Sequence, residues 1–231
     1  LIYSASLIYK ITGKKNLSII FLIVTFLESF YIGVLRNLHM DGVLSVLIFA
    51  SVLSFYYACV TDSVKFFIIS GVLTGLGYLT KSVSIFITLF CLIYFIYFFT
   101  KDRKNRKSLI LKFVLWTFVS VTIYFALFPA MWVSPIKIIV TIFKEGVIDT
   151  GVDGNFSHYL NNTVTQDPGF TFYLKVLAYR VTPVLQFLLF YFLINFIICC
   201  KGKRLKDINP LLIFSLLFSL LLYHLIQLLQ K

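Results

Sequence analysis

FFIISGVLTGLGYLTKSVSIFITLFCLIYFIYFF, residues 66 to 99, is the stretch whose reading decides the fold. It is strongly apolar, and its main interruption falls at Gly77, Thr80, Lys81 and Ser82. About 20 apolar residues cross the roughly 30 Å of bilayer hydrocarbon, and about 17 is the lower limit. The run is therefore too long for one crossing and barely long enough for two. Charge parity chooses between these readings. KDRKNRK at 101 to 107 and the pair Lys14, Lys15 are the two strongest positive-inside signals. Complete spans at 17–35 and 42–60 bring the turn at 62–65 back to the Lys14 side. An even number of crossings must then separate that turn from KDRKNRK, so 66–99 reads as a tight helical hairpin with Lys81 at its outer tip.

Working outward from the hairpin, residues 1 to 11 read as the end of a helix that stops at Gly13. Leu1 is not an initiator methionine and the chain opens in mid-helix, so the sequence is expected to be an internal piece of a longer protein, without its N-terminal part. Ser108 to Phe128 crosses outward and places 128–183 outside. Val184 to Cys200 crosses back, KGKRLK at 201 to 206 lies inside, and Leu211 to Leu229 crosses outward again. Each inner link carries Lys or Arg, as the rule asks.

The outer segment 128–183 is the one extended stretch not dominated by apolar side chains. Ile136, Ile139, Val140 and Phe143 recur at helical spacing, which predicts an interfacial amphipathic helix over 135–146. The Gly-, Asn- and Asp-rich residues 146–169 read as loop, and 170–180 as a second interfacial helix. The fold class expected is all-α: a polytopic transmembrane helical bundle, one domain over 1–231, with a long outward-facing loop carrying short interfacial helices.

Composition agrees. Of 231 residues 60% are hydrophobic and 13% charged, against about 25% charged in soluble domains. The net charge of +12 sits in short clusters between apolar runs, where it acts as a topology signal and not as a nucleic-acid footprint. Four cysteines show no C-x-x-C or Cys/His ligand spacing and read as packing residues. An integral multi-pass protein follows, in the plasma membrane of a prokaryote or the endoplasmic reticulum of a eukaryote.

Ionisable groups at membrane depth cost roughly 2.5–3.5 kcal/mol on insertion scales, so each needs a reason. Glu28, Asp41 and Lys81 qualify. Asp41 stands at the outer mouth between two spans, with His39 and Arg36 close in sequence. A carboxylate there can serve as general base, orient one, or hold a metal ion; its structural alternative is a helix N-cap before Gly42. Lys81 is placed to meet an anion such as a lipid phosphate, or else snorkels at the hairpin tip. Glu28 reads as an inter-helix contact or half of a buried ion pair. In the outer segment, His158 lies near Glu145, Asp149, Asp153 and Asp167, DTGVDGN lacks the remaining positions of an EF-hand loop, and Asn155 and Asn161 head glycosylation triplets. Arg180, just before Thr182 and Pro183, is a second candidate phosphate ligand. No P-loop, Rossmann or G-x-S-x-G pattern is present.

Four stretches in order, RNLHMDGVLSVLIF from Arg36, GVLTGLGYLTKS from Gly71, FPAMWVSP from Phe128 and DPGFTFYLKVLAYRVTP from Asp167, resemble dolichyl-phosphate-mannose protein mannosyltransferases and aminoarabinose lipid A transferases. The resemblance runs over roughly 36–190. It implies a GT-C-type glycosyltransferase that takes a sugar from a polyprenyl-phosphate donor, inverts its anomeric carbon, and passes it to a protein, lipid or glycan acceptor on the outer or luminal face. It implies a catalytic role for Asp41, the acid that opens a span. Lys81 matches the lysine of the Thr-Lys pair and Arg180 the arginine of Arg-x-Thr-Pro, both as ligands of the lipid phosphate. Arg36, His39 and His158 are additional candidates. The resemblance also places the family's principal acidic motif in a first outer loop upstream of Leu1. The sequence assigns no cofactor with certainty, and a divalent metal ion is a candidate. The alternative reading is a transporter or flippase for an anionic lipid or solute, using the same charges as a path; a polymerase or ligase of lipid-linked glycans differs only in acceptor.

Overall fold

The computed structural model describes residues 1–36, 40–81, 84–101 and 106–144, the segments 158–160 and 163–165, and Tyr179, Thr182, Pro183, Gln186, Phe187 and Phe190. The helices are α1 (Ile2–Thr12), α2 (Lys15–Leu27), α3 (Ser29–Arg36), α4 (Met40–Thr61), α5 (Val64–Thr80), α6 (Ile85–Lys101), α7 (Arg106–Leu127), α8 (Ala130–Val133) and α9 (Pro135–Phe143). The class is all-α. Two compact units divide the chain: Leu1–Leu22 with Leu38–Val152, and Ile23–Asn37 with Asp153–Lys231.

In the first unit α4 is the central element, with α1, α5 and α6 packed round it and α7 packed on α5. Burial makes the division of labour plain: 67% of the most apolar window of α4 is buried by protein, against 17% for α7. Large apolar side chains stand exposed along α6 (Leu89, Ile93, Ile96) and α7 (Val114, Phe118, Val121, Phe125). A soluble surface does not carry so broad an apolar face; in a membrane protein lipid covers it. Both α4 and α7 are 22 residues, long and apolar enough to cross a bilayer. The hairpin expected at 66–99 is present as α5 and α6, 17 residues each, or about 25 Å at the helical rise of 1.5 Å per residue.

Helix ends follow local chemistry. α1 stops where Gly13 adopts φ 68° and donates its N–H to the Tyr9 carbonyl, a left-handed cap that glycine takes without steric cost. Asp62 turns the chain from α4 into α5 at φ 54°, a region that Asp tolerates better than most residues.

Small residues let α5 and α7 approach closely. A Cβ on Gly71 would lie 2.9 Å from the Trp116 carbonyl oxygen, and one on Gly75 would lie 2.7 Å from that of Ser120. Beside this contact runs a buried polar seam. Ser51 of α4 and Ser70 of α5 donate their hydroxyls to each other's carbonyls at 3.0 and 2.9 Å. The Trp116 indole N–H donates to Ser70 Oγ at 3.0 Å, and Thr74 Oγ1 lies 2.7 Å from Ser51 Oγ. Lipid offers no hydrophobic drive between helices, so close backbone approach and inter-helix hydrogen bonds supply the adhesion. Phe55 completes the junction, edge-on to Phe67 at 5.3 Å and to Trp116 at 5.4 Å.

Several expectations are corrected. The span expected at 17–35 is two helices, α2 and α3, meeting at Glu28. The irregularity is local, because Glu28 still donates to the Val24 carbonyl and accepts from the Ile32 N–H. Within the second unit, the Glu28 carboxylate turns to Thr182, accepting its N–H at 3.3 Å and its hydroxyl at 2.6 Å. The loop expected over 146–169 contains an antiparallel hairpin, β1 (His158–Leu160) and β2 (Thr163–Thr165), with His158 opposite Thr165. Thr, Val and Tyr favour extended backbone. The helix expected at 135–146 is present as α9, ending at Phe143. Of the helix expected at 170–180 the described residues include Tyr179 alone, of the span at 184–200 they include Gln186, Phe187 and Phe190, and the span at 211–229 lies outside them.

Candidate functional site

Two charged residues forty positions apart meet at one end of the first unit. Asp41 sits in the first turn of α4, which begins at Met40. An acid there is favoured by the helix dipole, since the N-terminal amides carry partial positive charge. Its side chain is 1% exposed. Asp41 is thus inside the helix and buried, and not the N-cap that its place before Gly42 suggested.

Lys81 comes to it from the hairpin tip. α5 ends at Thr80, whose hydroxyl donates to the Gly77 carbonyl at 2.6 Å, and Lys81 leaves the helix in extended backbone. Ser84 then donates its N–H to the Lys81 carbonyl at 3.0 Å, starting the return into α6. Gly77 faces α6 closely here: a Cβ on it would lie 2.8 Å from the terminal methyl of Ile87. The lysine side chain, 35% exposed, donates from Nζ to Asp41 Oδ1 at 3.0 Å. It does not simply snorkel at the tip.

A carboxylate sealed from water next to an ammonium that still reaches solvent is a versatile arrangement. The acid can accept a proton; the lysine can hold an anion. Side chains of these two types can take part in proton transfer and in holding an anion.

The other sequence-level candidates are distributed differently. Arg36 is exposed at the end of α3 in the second unit. His158 belongs to β1 of that same unit. His39 and Arg180 lie outside the described residues. Among the described residues no group of three or more His, Cys, Asp and Glu comes together.

The description of dolichyl-phosphate-mannose-protein mannosyltransferase belongs to a family model that matches residues 2–132, more than half of the chain. The chain belongs to that mannosyltransferase family. Membership makes it a membrane glycosyltransferase, and the matched residues contain both Asp41 and Lys81. The match starts upstream of the resemblance read from the sequence and ends before the Asp167–Pro183 stretch, so the likeness of Arg180 to a mannosyltransferase arginine stands on that stretch alone. No curated protein and no solved structure matches the chain significantly.

Sequence reading singled out Asp41 and Lys81 separately but did not join them. It missed the Ser51, Ser70, Thr74 and Trp116 seam, whose only signal was the small-residue spacing Ser70, Gly71, Thr74, Gly75 on one face of α5.

Proposed function

We propose that this mannosyltransferase-family chain transfers a sugar, with inversion, from a polyprenyl-phosphate donor to a protein, lipid or glycan hydroxyl on the outer or luminal face of the membrane it crosses several times. The observation that carries the reading is the Asp41–Lys81 ion pair at the end of an apolar bundle. Burying a carboxylate is expensive, and a chain this poor in charge places few of them.

Asp41 acts as general base on the acceptor hydroxyl. Lys81 balances the negative charge that collects on the departing lipid phosphate. Arg180 is the second cation assigned to that phosphate, with Arg36, His39 and His158 as further polar groups for the sugar or acceptor. A divalent ion is compatible with this scheme, and no step is routed through one. The exposed apolar faces of α6 and α7 suit a polyprenyl tail that arrives through the bilayer.

The test is sugar transfer by membranes containing the protein, with short-chain polyprenyl-phosphate hexoses and pentoses as radiolabelled donors. Label should reach acceptor with the parent and be lost with Asp41→Asn and Lys81→Ala at normal expression. Donor consumption by neither parent nor variants, with labelled lipid instead crossing the bilayer, would replace the transferase by a flippase.

A further inference from the structure

We propose that the end of the bundle opposite Lys81 holds an anionic phospholipid, its headgroup phosphate bound by Arg106, Lys107 and Lys101 and an acyl chain laid along α7. The inference does not rest on the transferase reading, because it concerns the far end of α6 and is read by binding alone. α6 begins just after the hairpin tip and ends 17 residues later at Lys101, about 25 Å away at 1.5 Å per residue. The link 102–105 lies outside the described residues and forms no part of the site.

Three observations lead to it. First, Arg106 is fixed in place. Its Nε–H donates to the Phe99 carbonyl at 3.0 Å, and its guanidinium carbon lies 4.7 Å from the centre of the Phe99 ring. Capping the last turn of α6 occupies Nε alone. Among the described residues that is the one hydrogen bond of Arg106, so both amino groups stay open to an anion, as a planar fork that fits two phosphate oxygens. Second, further cations share this corner without an acid. Lys101 closes α6, with Nζ 3.3 Å from the Tyr97 hydroxyl and 5.4 Å from the centre of its ring, and Lys107 of α7 is exposed. Neither forms an ion pair among the described residues, whereas Lys112, further along α7, is taken up by Asp62. Third, one face of α7 runs from cation to apolar. Lys107, Leu111, Val114 and Phe118 recur at intervals of four, three and four, which puts them on a single face, and the last three are 70%, 57% and 66% exposed. Lys107 and Phe118 are about 16 Å apart along the axis, close to half of the roughly 30 Å hydrocarbon thickness.

Charge and depth together select the occupant. A free phosphate ion meets the cations but makes no use of the apolar stripe below them. A zwitterionic lipid brings an ammonium of its own into a corner that already holds three cations, and like charges repel. An anionic phospholipid satisfies both halves: its phosphodiester sits at the helix ends and its chain follows Leu111, Val114 and Phe118 toward the midplane. The basic links read this end as the inner one, and the inner leaflet is where anionic lipids attract juxtamembrane Lys and Arg. A phosphate held by Lys101 from α6 and by Arg106 and Lys107 from α7 also joins the two helices, whose Phe95 and Phe113 rings lie 4.4 Å apart.

The closing experiment follows lipid binding to the purified, delipidated full chain by native mass spectrometry, with short-chain phosphatidylglycerol, phosphatidylcholine of the same chains, and glycerol phosphate as probes. Phosphatidylglycerol should bind about tenfold tighter than phosphatidylcholine, and glycerol phosphate should not displace it. Arg106→Gln and Lys107→Ala should each weaken phosphatidylglycerol about fivefold, the scale of one cation at a membrane surface. Arg106→Lys should recover only part of that loss, because it restores the charge without the fork. The control is Lys14→Ala, which removes one charge from the turn after α1; Lys10 of α1 lies over the Phe66 ring of α5, so that turn is at the same end of the bundle. It should bind like the parent. Equal binding of the two lipids by the parent, or an equal loss in Lys14→Ala, overturns the site and leaves only diffuse attraction to a basic surface. Glycerol phosphate that competes as well as the lipid overturns the lipid as occupant. Should Arg106→Gln fail to fold, Lys107→Ala decides, since it leaves the Arg106 contact with Phe99 intact, and unchanged affinity there rejects the proposal.

Discussion

Asp41 with Lys81, and Asp62 with Lys112, are two ion pairs of the same residue types in the same unit, and they are buried in opposite senses. At the first, the acid is 1% exposed and the lysine 35%. At the second, the acid is 57% exposed and the lysine 12%. Asp62 also lies in the turn after α4, where Lys112 donates to both its carboxylate and, at 3.2 Å, its carbonyl. Water solvates the Asp62 carboxylate whether or not the lysine is there, so that pair ties α7 to a turn and does little more. Asp41 has no such recourse and depends on protein groups for its charge. The same residue types thus make two different environments, and what separates them is which half is sealed from solvent.

The comparison can be broken or sharpened by substitution. The largest effect is expected on catalysis: Asp41→Asn should lower transfer by about a hundredfold to ten-thousandfold, the range for loss of a general base, while Asp62→Asn leaves the rate at the parental level. Equal losses at the two sites would erase the distinction. Next, Lys81→Ala should lower stability in detergent by about 2–3 kcal/mol, somewhat under the usual cost of breaking a buried pair because the lysine is part-exposed; a chemical or thermal unfolding series reads it. Gly75→Ala comes third, at about 1–3 kcal/mol from overpacking. It should reduce transfer as well if the α5 and α7 contact is what places Lys81. Smallest is Lys112→Ala, expected below about 1 kcal/mol, as for exposed pairs generally. A loss as large as that of Lys81→Ala would mean that solvent access is not what separates the two sites.

Much of the helical order was legible beforehand. Run length and basic clusters located α4, α7 and the α5–α6 hairpin, Gly13 marked the end of α1, and the spacing of Ile136, Ile139 and Val140 marked α9. The break at Glu28 was not legible, because the carboxylate partner, Thr182, is 154 positions away. Nor was the β1–β2 hairpin, since two strands of three residues give too short an alternation to stand out from a polar loop. At the candidate site, sequence reading marked Asp41 and Lys81 as costly charges at the same membrane face, and offered a cap and a snorkelling tip as equally natural readings.

The sequence by itself determined that the chain is a bundle of apolar helices and where most of the described ones begin and end. Hydrophobic length and charge clusters are local properties, and the bilayer converts them directly into spans. Only the tertiary structure decided that Asp41 is buried and that Lys81 pairs with it. That outcome depends on α4 lying beside α5, on α6 packing against α4, and on the Ser51–Ser70 seam joining α4 to α5. None of these contacts is set by neighbours along the chain; they arise from which surfaces fit when the helices pack.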